Sequence, residues 1–527
     1  MANGFLPGTG LPALDRVLKG LMPGDNVVFQ VESIIDYLHF VRPYCEETVR
    51  RGKRLIYFRF AEHLALVPEG AGVEIYTLDP HAGFELFITE IHRVIERVRD
   101  QGRYVFDGLS DLAVDWYSDR MLGNFFVLTC PFIYDVGAVA FFTLFRNYHS
   151  FHATRPIRET TQVLLDVYRH KGSLYIRPIK VQQRHSPTMY MLHVLENDSF
   201  TPVSASCTIS EVQTTVSWNR LGAPSARLGV WNRPFLQAEE IREPLHRREC
   251  TLEGARELTR RLLRMVVSRD ERVLRLAERH FDLGALLDIW KRMIGTGLIG
   301  GKAVGMLLAR AILKHASPRF EELLEPHDSF YIGSDVFYTY LVQNGCWWVR
   351  QRQKDATKFL DGAEEARRRI LMGRFPEDLC EDFAEMLDYF GQSPIIVRSS
   401  SLLEDAFGNS FAGKYESVFC ANQGPHQQRL EDFMSAVRTI YASSMSEKAL
   451  LYRAARGMLD KDEQMAILVQ RVSGMLYGHH YFPQVAGVAL SFNPYAWSEE
   501  IDPQAVSYTH LRAHETPEHL VCRLLLE

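Results

Sequence analysis

Residues 395–417 read IIVRSSSLLEDAFGNSFAGKYES. Ile395, Ile396 and Val397 form a β-branched run that reads as a buried strand. The strand delivers Arg398 at its end, where a guanidinium can clamp phosphate oxygens through two parallel hydrogen bonds. Ser399, Ser400 and Ser401 follow, then Glu404-Asp405, then Ser410-Phe411-Ala412-Gly413-Lys414-Tyr415-Glu416-Ser417. The hydroxyls and Gly413 read as a flexible, donor-rich flap. The plainer alternative is a strand-end arginine neutralised by Glu404.

Two other stretches share this chemistry. Upstream lies Ile299-Gly300-Gly301-Lys302-Ala303-Val304-Gly305, led in by Ile294-Gly295-Thr296-Gly297. Its glycines let backbone approach a polyphosphate, and Lys302 adds a mobile cation. By itself GGK equally fits a helix start with an exposed lysine. Downstream, Met465–Val472 (MAILVQRV) and Val485–Phe492 (VAGVALSF) read as buried strands. The first carries Gln470, whose amide can pair with an adenine or ribose edge. The second ends at Phe492-Asn493-Pro494, and the two are expected to form a hairpin.

In this order, the GGK start, VRSS…ED…SFAG and the VQ strand with its partner resemble the ATP-binding domain of the phosphoenolpyruvate synthase / pyruvate, phosphate dikinase family. The resemblance covers about residues 294–500, with Ser401 replacing the family's usual alanine. It implies an ATP-grasp-like fold in which Lys302, Arg398, Gly413, Ser417 and Gln470 contact ATP. Lys302 and Arg398 would neutralise charge building on the transferred group. In that family a pyrophosphoryl group passes from Mg-ATP to a histidine on a swivelling domain, and a phosphoryl group then passes to pyruvate. The family's Mg2+ residues are expected beyond residue 505, so the metal ligands stay unassigned. The carrier motif is not found. His149 and His152 (HSFHAT) lack its glycines, and His479 and His480 read as a hairpin turn facing solvent. A phospho-carrier and pyruvate-binding domain is therefore expected on another chain or on a missing part of this one.

The first 200 residues alternate short apolar runs with helix-length segments, the pattern of a parallel sheet covered on both faces. The runs are Val27–Val31, Leu55–Phe58, Val73–Thr77, Tyr104–Phe106, Phe125–Leu128 and Ala138–Phe142, with a hairpin of Leu174–Val181 and Met189–Val194 at the edge. The opening TGLPALDRVLKGLMPGDNVVFQV, through Thr9, Gly10, Leu14, Asp15, Leu18, Gly20 and Gly24, resembles the start of RecA/KaiC-like ATPases. That family continues with GxxxxGK[ST]. Here Val31-Glu32-Ser33-Ile34-Ile35-Asp36-Tyr37 stands instead, with no glycine, no lysine and two carboxylates where phosphate would sit. Asp107, in the place of a Walker B acid, reads as a strand-end turn residue. The expectation is a degenerate scaffold that binds no ATP.

Residues 201–293 read as a linker followed by Leu/Arg/Glu-rich helices whose charges form a solvated face of i,i+4 ion pairs. The 22 residues from Val506 break the pattern and resemble a non-native read-through. Their His510 and His514 are spaced to grip a metal only if helical. The expected organisation is an α/β multidomain chain: a degenerate RecA-like parallel-sheet domain (1–200), a linker and helical segment (201–293), an incomplete ATP-grasp-like α+β domain (294–505) and a tail (506–527).

Composition sets the outer limits. Of 527 residues, 46% are hydrophobic and 24% charged, with a net charge of -5, which excludes a disordered chain and gives no basic excess for nucleic acid. Eight cysteines without a CxxC pair suggest reduced thiols in a cytoplasm. The longest apolar stretch, Val136–Phe145, is too short to cross a bilayer, and MANGFLPGTG has no signal-peptide character. The expected function is a kinase-type Mg-ATP-binding module of the phosphoenolpyruvate synthase family. The alternative is a non-catalytic scaffolding or regulatory protein built on degenerate nucleotide folds.

Overall fold

The computed structural model describes residues 7–203 (except 68, 69, 71, 100, 101, 147 and 187), 208, 209, 212, 230–246, 252–325, 327–404, 413–477, 480–483, 485–490 and 507–512. Nine strands form the first sheet: β1 (Asn26–Val31), β2 (Arg54–Arg59), β3 (Val73–Thr77), β4 (Gly102–Gly108), β5 (Val139–Phe145), β6 (Val163–His170), β7 (Ser173–Val181), β8 (His193–Glu196) and β9 (Ser199–Pro202). Their order is β3-β2-β4-β5-β1-β6-β7-β8-β9. β1 to β6 pair in parallel, and β6 to β9 continue antiparallel.

Period-two alternation divides each central strand between two cores. Val27, Phe29, Leu55, Tyr57 and Val105 point to one side. Val28, Ile56, Phe58, Tyr104 and Phe106 point to the other. The runs expected at Val27–Val31, Leu55–Phe58, Tyr104–Phe106 and Ala138–Phe142 are therefore central strands largely buried on both faces, while Val73–Thr77 is the half-exposed edge strand β3. Phe125–Leu128 lies inside the helix Asp119–Asp135, which Ser118 caps. That helix is sandwiched between the sheet and the second half, so it is apolar nearly all round and its period is erased. The structure also adds β6, which the sequence reading passed over, and pairs β7 with β8 over only Tyr175–Val194 and Ile176–His193.

Helices Leu252–Val266, Glu271–His280 and Leu283–Trp290 fill the middle of the chain. The helix Asn232–His246 begins within the segment expected as linker. The charges here pair between helices rather than along one: Arg260 and Arg264 of the first meet Glu271 and Glu278 of the second.

The second sheet has the order β10-β11-β14-β12-β13, with β10 (Met293–Ile294), β11 (Ser329–Ile332), β12 (Ile395–Ser401), β13 (Ser417–Cys420) and β14 (Met465–Arg471). The expected hairpin of residues 465–472 with 485–492 does not form among the described residues. β14 lies between β11 and β12, while β17 (Val485–Leu490) pairs with β18 (Ser507–Arg512), and β15 (Met475–Tyr477) with β16 (His480–Phe482). His510 thus sits on a strand and not on the helix that the metal-gripping reading requires; His514 and Asn493 lie outside the described residues.

The two halves share one hydrophobic core that runs from Phe58 and Phe106 to Val397 and Val469. Across the junction Phe84 meets Trp347 edge-on with centroids 5.4 Å apart. Asn124 donates to Thr339 over 3.0 Å, and Arg120 pairs with Asp378 at 2.6 Å.

Candidate functional site

Strand β12 and the helix Gly301–Ala316 build the site between them. Gly300 has φ 80, and a Cβ there would lie 1.4 Å from the Ser400 carbonyl oxygen; one on Gly301 would lie 2.2 Å from that of Glu404. Only glycine allows the helix start to press on the strand end this closely. The space expected to admit polyphosphate at these two residues is occupied by the protein's own backbone. Ser400 completes the clasp: its hydroxyl donates to Ile299 O over 2.9 Å and accepts from Ala303 N over 3.1 Å.

That clasp brings Lys302 to the end of β12. Its Nζ donates to Ser399 Oγ at 2.9 Å and to Glu404 Oε1 at 2.5 Å. Glu404 also accepts from Ser399 Oγ and from the Ser401 amide, at 3.0 and 2.9 Å. Burial pushes the Glu404 carboxyl up, and Lys302 works against that shift. The sequence reading offered Glu404 as the partner of Arg398; the structure gives it to Lys302 instead. Glu404 sits in the turn past the strand, beside the helix that bears Lys302, whereas Arg398 is three residues back on the strand.

Arg398 has no counter-ion among the described residues. It makes no hydrogen bond or ion pair among the described residues, and its Nε is buried with no partner. In register it faces Ser417 on β13 and Leu468 on β14. Gln470 faces Ile396, two residues back along β12 and on the same face, roughly 7 Å away at the usual rise per residue. Phe419, opposite Ile396 on β13, is 57% exposed, so this face of the sheet is open there. Ser417 is exposed, and Gln470 donates weakly to Ser329 Oγ at 3.3 Å. Gly413, with φ 65 and no atom within 4 Å of a Cβ, is exposed four residues ahead of Ser417. Asp405, Ser410, Phe411 and Ala412 lie outside the described residues.

The corresponding strand ends of the first sheet are closed. After β1, Ser33 caps the helix Ile34–Arg50 directly, and Asp36 pairs with Arg169 at 2.6 Å. Within the last residues of β4, the buried Asp107 accepts from the Phe60 and Ala61 amides at 2.8 and 3.0 Å and from the Tyr57 hydroxyl. The His149 side chain is buried with both ring nitrogens engaged, Nε2 by Ser110 at 2.8 Å and Nδ1 by Asp119 at 2.9 Å, so neither is free to accept a phosphoryl group. His480 is exposed; His479 lies outside the described residues.

Sequence reasoning missed a second acidic anchor. Glu463, fully buried, accepts from Ser401 Oγ, Tyr415 OH and Arg453. KDEQ at 461–464 reads as a solvated turn, and only the long apolar strand that follows it hints at burial. Among the described residues, no group of three or more His, Cys, Asp or Glu side chains could hold a metal ion, and no helix is long and apolar enough to cross a membrane.

Residues 296–507 match the family described as pyruvate phosphate dikinase, AMP/ATP-binding domain. The matched segment contains Lys302, Arg398, Gly413, Ser417 and Gln470, and begins just ahead of the glycine pair that fixes Lys302.

Proposed function

We propose that the second half binds ATP with the triphosphate between Lys302 and Arg398, as the nucleotide module of a phosphoenolpyruvate synthase-type phosphotransferase. The observation that carries this reading is the Arg398 guanidinium, semi-buried on an open sheet face with its Nε unpartnered. A half-buried cation with no counter-ion among the described residues is well placed to take up an anion that pairs with it. Lys302 is held ready beside it, and the incoming phosphate competes with Glu404 for the ammonium. Ser417 and Gln470 lie along the same face, with Gln470 in reach of a base or sugar edge. Mg2+ would arrive with the nucleotide as its counter-ion, because the described residues offer no ready-made site for it. The phosphoryl acceptor lies on a carrier domain supplied elsewhere.

The first half is read as a RecA/KaiC-like scaffold that binds no nucleotide. Its parallel order, with β5 between β1 and β4, supports the architecture, and the self-paired Asp36 and Asp107 support the loss of function. Calorimetry tests the assignment. Arg398→Lys keeps the charge but loses the planar fork, and should weaken Mg-ATP binding about tenfold or more. Unchanged affinity in that variant sinks the placement.

A further inference from the structure

A largely buried chain of ion pairs and hydrogen bonds links the first half to the proposed nucleotide site. It starts at Glu85, a fully buried carboxylate on the helix Phe84–Val98. Glu85 pairs with Arg350 Nε at 3.3 Å and Lys354 Nζ at 3.1 Å, both on the second half. Arg350 Nη2 donates to the Lys461 carbonyl at 3.0 Å, and Arg453 Nη2 donates to the same oxygen at 2.9 Å. Arg453 Nη1 then reaches Glu463 Oε2 at 2.6 Å. Glu463 accepts from Ser401 Oγ at 2.7 Å and from Tyr415 OH at 2.9 and 3.0 Å. Finally the Ser401 amide holds Glu404, which holds Lys302.

Two features make this more than a buried ion pair. One carboxylate, Glu463, holds both Ser401 at the end of β12 and Tyr415 just ahead of β13. The chain also terminates on the lysine assigned to the phosphates. Buried ion pairs add little net stability but hold geometry tightly, since breaking one leaves a charge uncompensated.

We propose that Glu463 and Glu85 are positioning residues for the nucleotide, so that a carboxylate of the first half helps set ATP affinity in the second. This rests on the reading of residues 296–507 as an ATP site. It gives the first half a task that needs no nucleotide of its own.

The test is a double-mutant cycle on the full chain, read as the Kd of Mg-ATP by calorimetry. Tyr415→Phe removes one hydroxyl donor and keeps the ring; it should weaken binding about tenfold. Glu85→Gln should weaken it about fivefold. The double variant should lose no more than about tenfold to fifteenfold, short of the fiftyfold that independent sites give. Asn124→Ala cuts a contact across the same junction but off the chain, and should stay within about twofold of wild type. If Glu85→Gln fails to fold, Lys354→Met, which removes the more exposed partner of Glu85, replaces it in the cycle. Additive losses, or an equal loss in Asn124→Ala, overturn the proposal while leaving the ATP site standing. A wild-type chain that binds no ATP overturns both.

Discussion

The ends of β1 and β4 in the first sheet and the end of β12 in the second offer the same raw material. Each has a strand terminus, a helix start and charged side chains. In the first sheet the protein uses those charges itself: Asp36 takes Arg169, and Asp107 takes two amides and a tyrosine. In the second, Lys302 is paired, while Arg398 has no partner among the described residues. The difference between the two sheets lies in which strand-end charges the protein pairs internally, more than in strand order.

The largest expected effect breaks the second site's frame. Gly300→Ala forces a Cβ onto the Ser400 carbonyl at positive φ, and should cost about 3–5 kcal/mol of stability, measured by denaturant unfolding. A loss under about 1 kcal/mol would mean that the helix–strand clasp is loose. Next, Asp107→Asn in the first sheet should cost about 2–3 kcal/mol, because its buried oxygens accept three donors. It should leave the Kd of Mg-ATP unchanged; a weakened Kd would erase the contrast between the two sites.

A pH experiment sharpens the junction. Burial, with Glu85 adding repulsion, pushes Asp462 up to about 7 from its ordinary 3.8. A carboxyl raised in the fold binds its proton more tightly there than when unfolded, so its support is complete below about pH 4 and is lost as pH rises through 7. Asp462→Asn, which mimics the protonated acid, should match wild type near pH 4 and be more stable by about 2 kcal/mol at pH 8. Equal stability at both pH values would show that the aspartate is not strained. The smallest effect is Gly413→Ala. It has open space around it but a left-handed backbone, and should cost about 1 kcal/mol.

Much of the fold is written in local pattern. Val27–Val31, Leu55–Phe58 and Ile395–Val397 are strands because short β-branched and aromatic runs have few other places to go. Phe125–Leu128 fails the same rule because burial on every side removes the helical period. In β6, Asp166 interrupts the apolar run; its neighbour Arg146, stacked on Tyr168 with the guanidinium 4.0 Å from the ring centroid, makes that charge tolerable, and this is invisible in one dimension. The site divides likewise. Lys302 and Arg398 stand out as candidates by residue type and motif, whereas Ser417 and Gln470 are picked out by the family resemblance alone. The pairing of the two cations does not stand out: Glu404 is close in sequence to Arg398 but close in space to Lys302, 102 residues away. The contribution of Glu85 is further still from view, since nothing near residue 85 points to a partner at 350 or 354.

The central claim is that one half of this chain binds ATP and the other does not. The most direct measurement is the stoichiometry of Mg-ATP binding to the intact chain, by calorimetry, with Arg398→Ala beside it. One ATP per intact chain is expected, and none in the variant. Two sites, or a single site that survives the loss of Arg398, would contradict it.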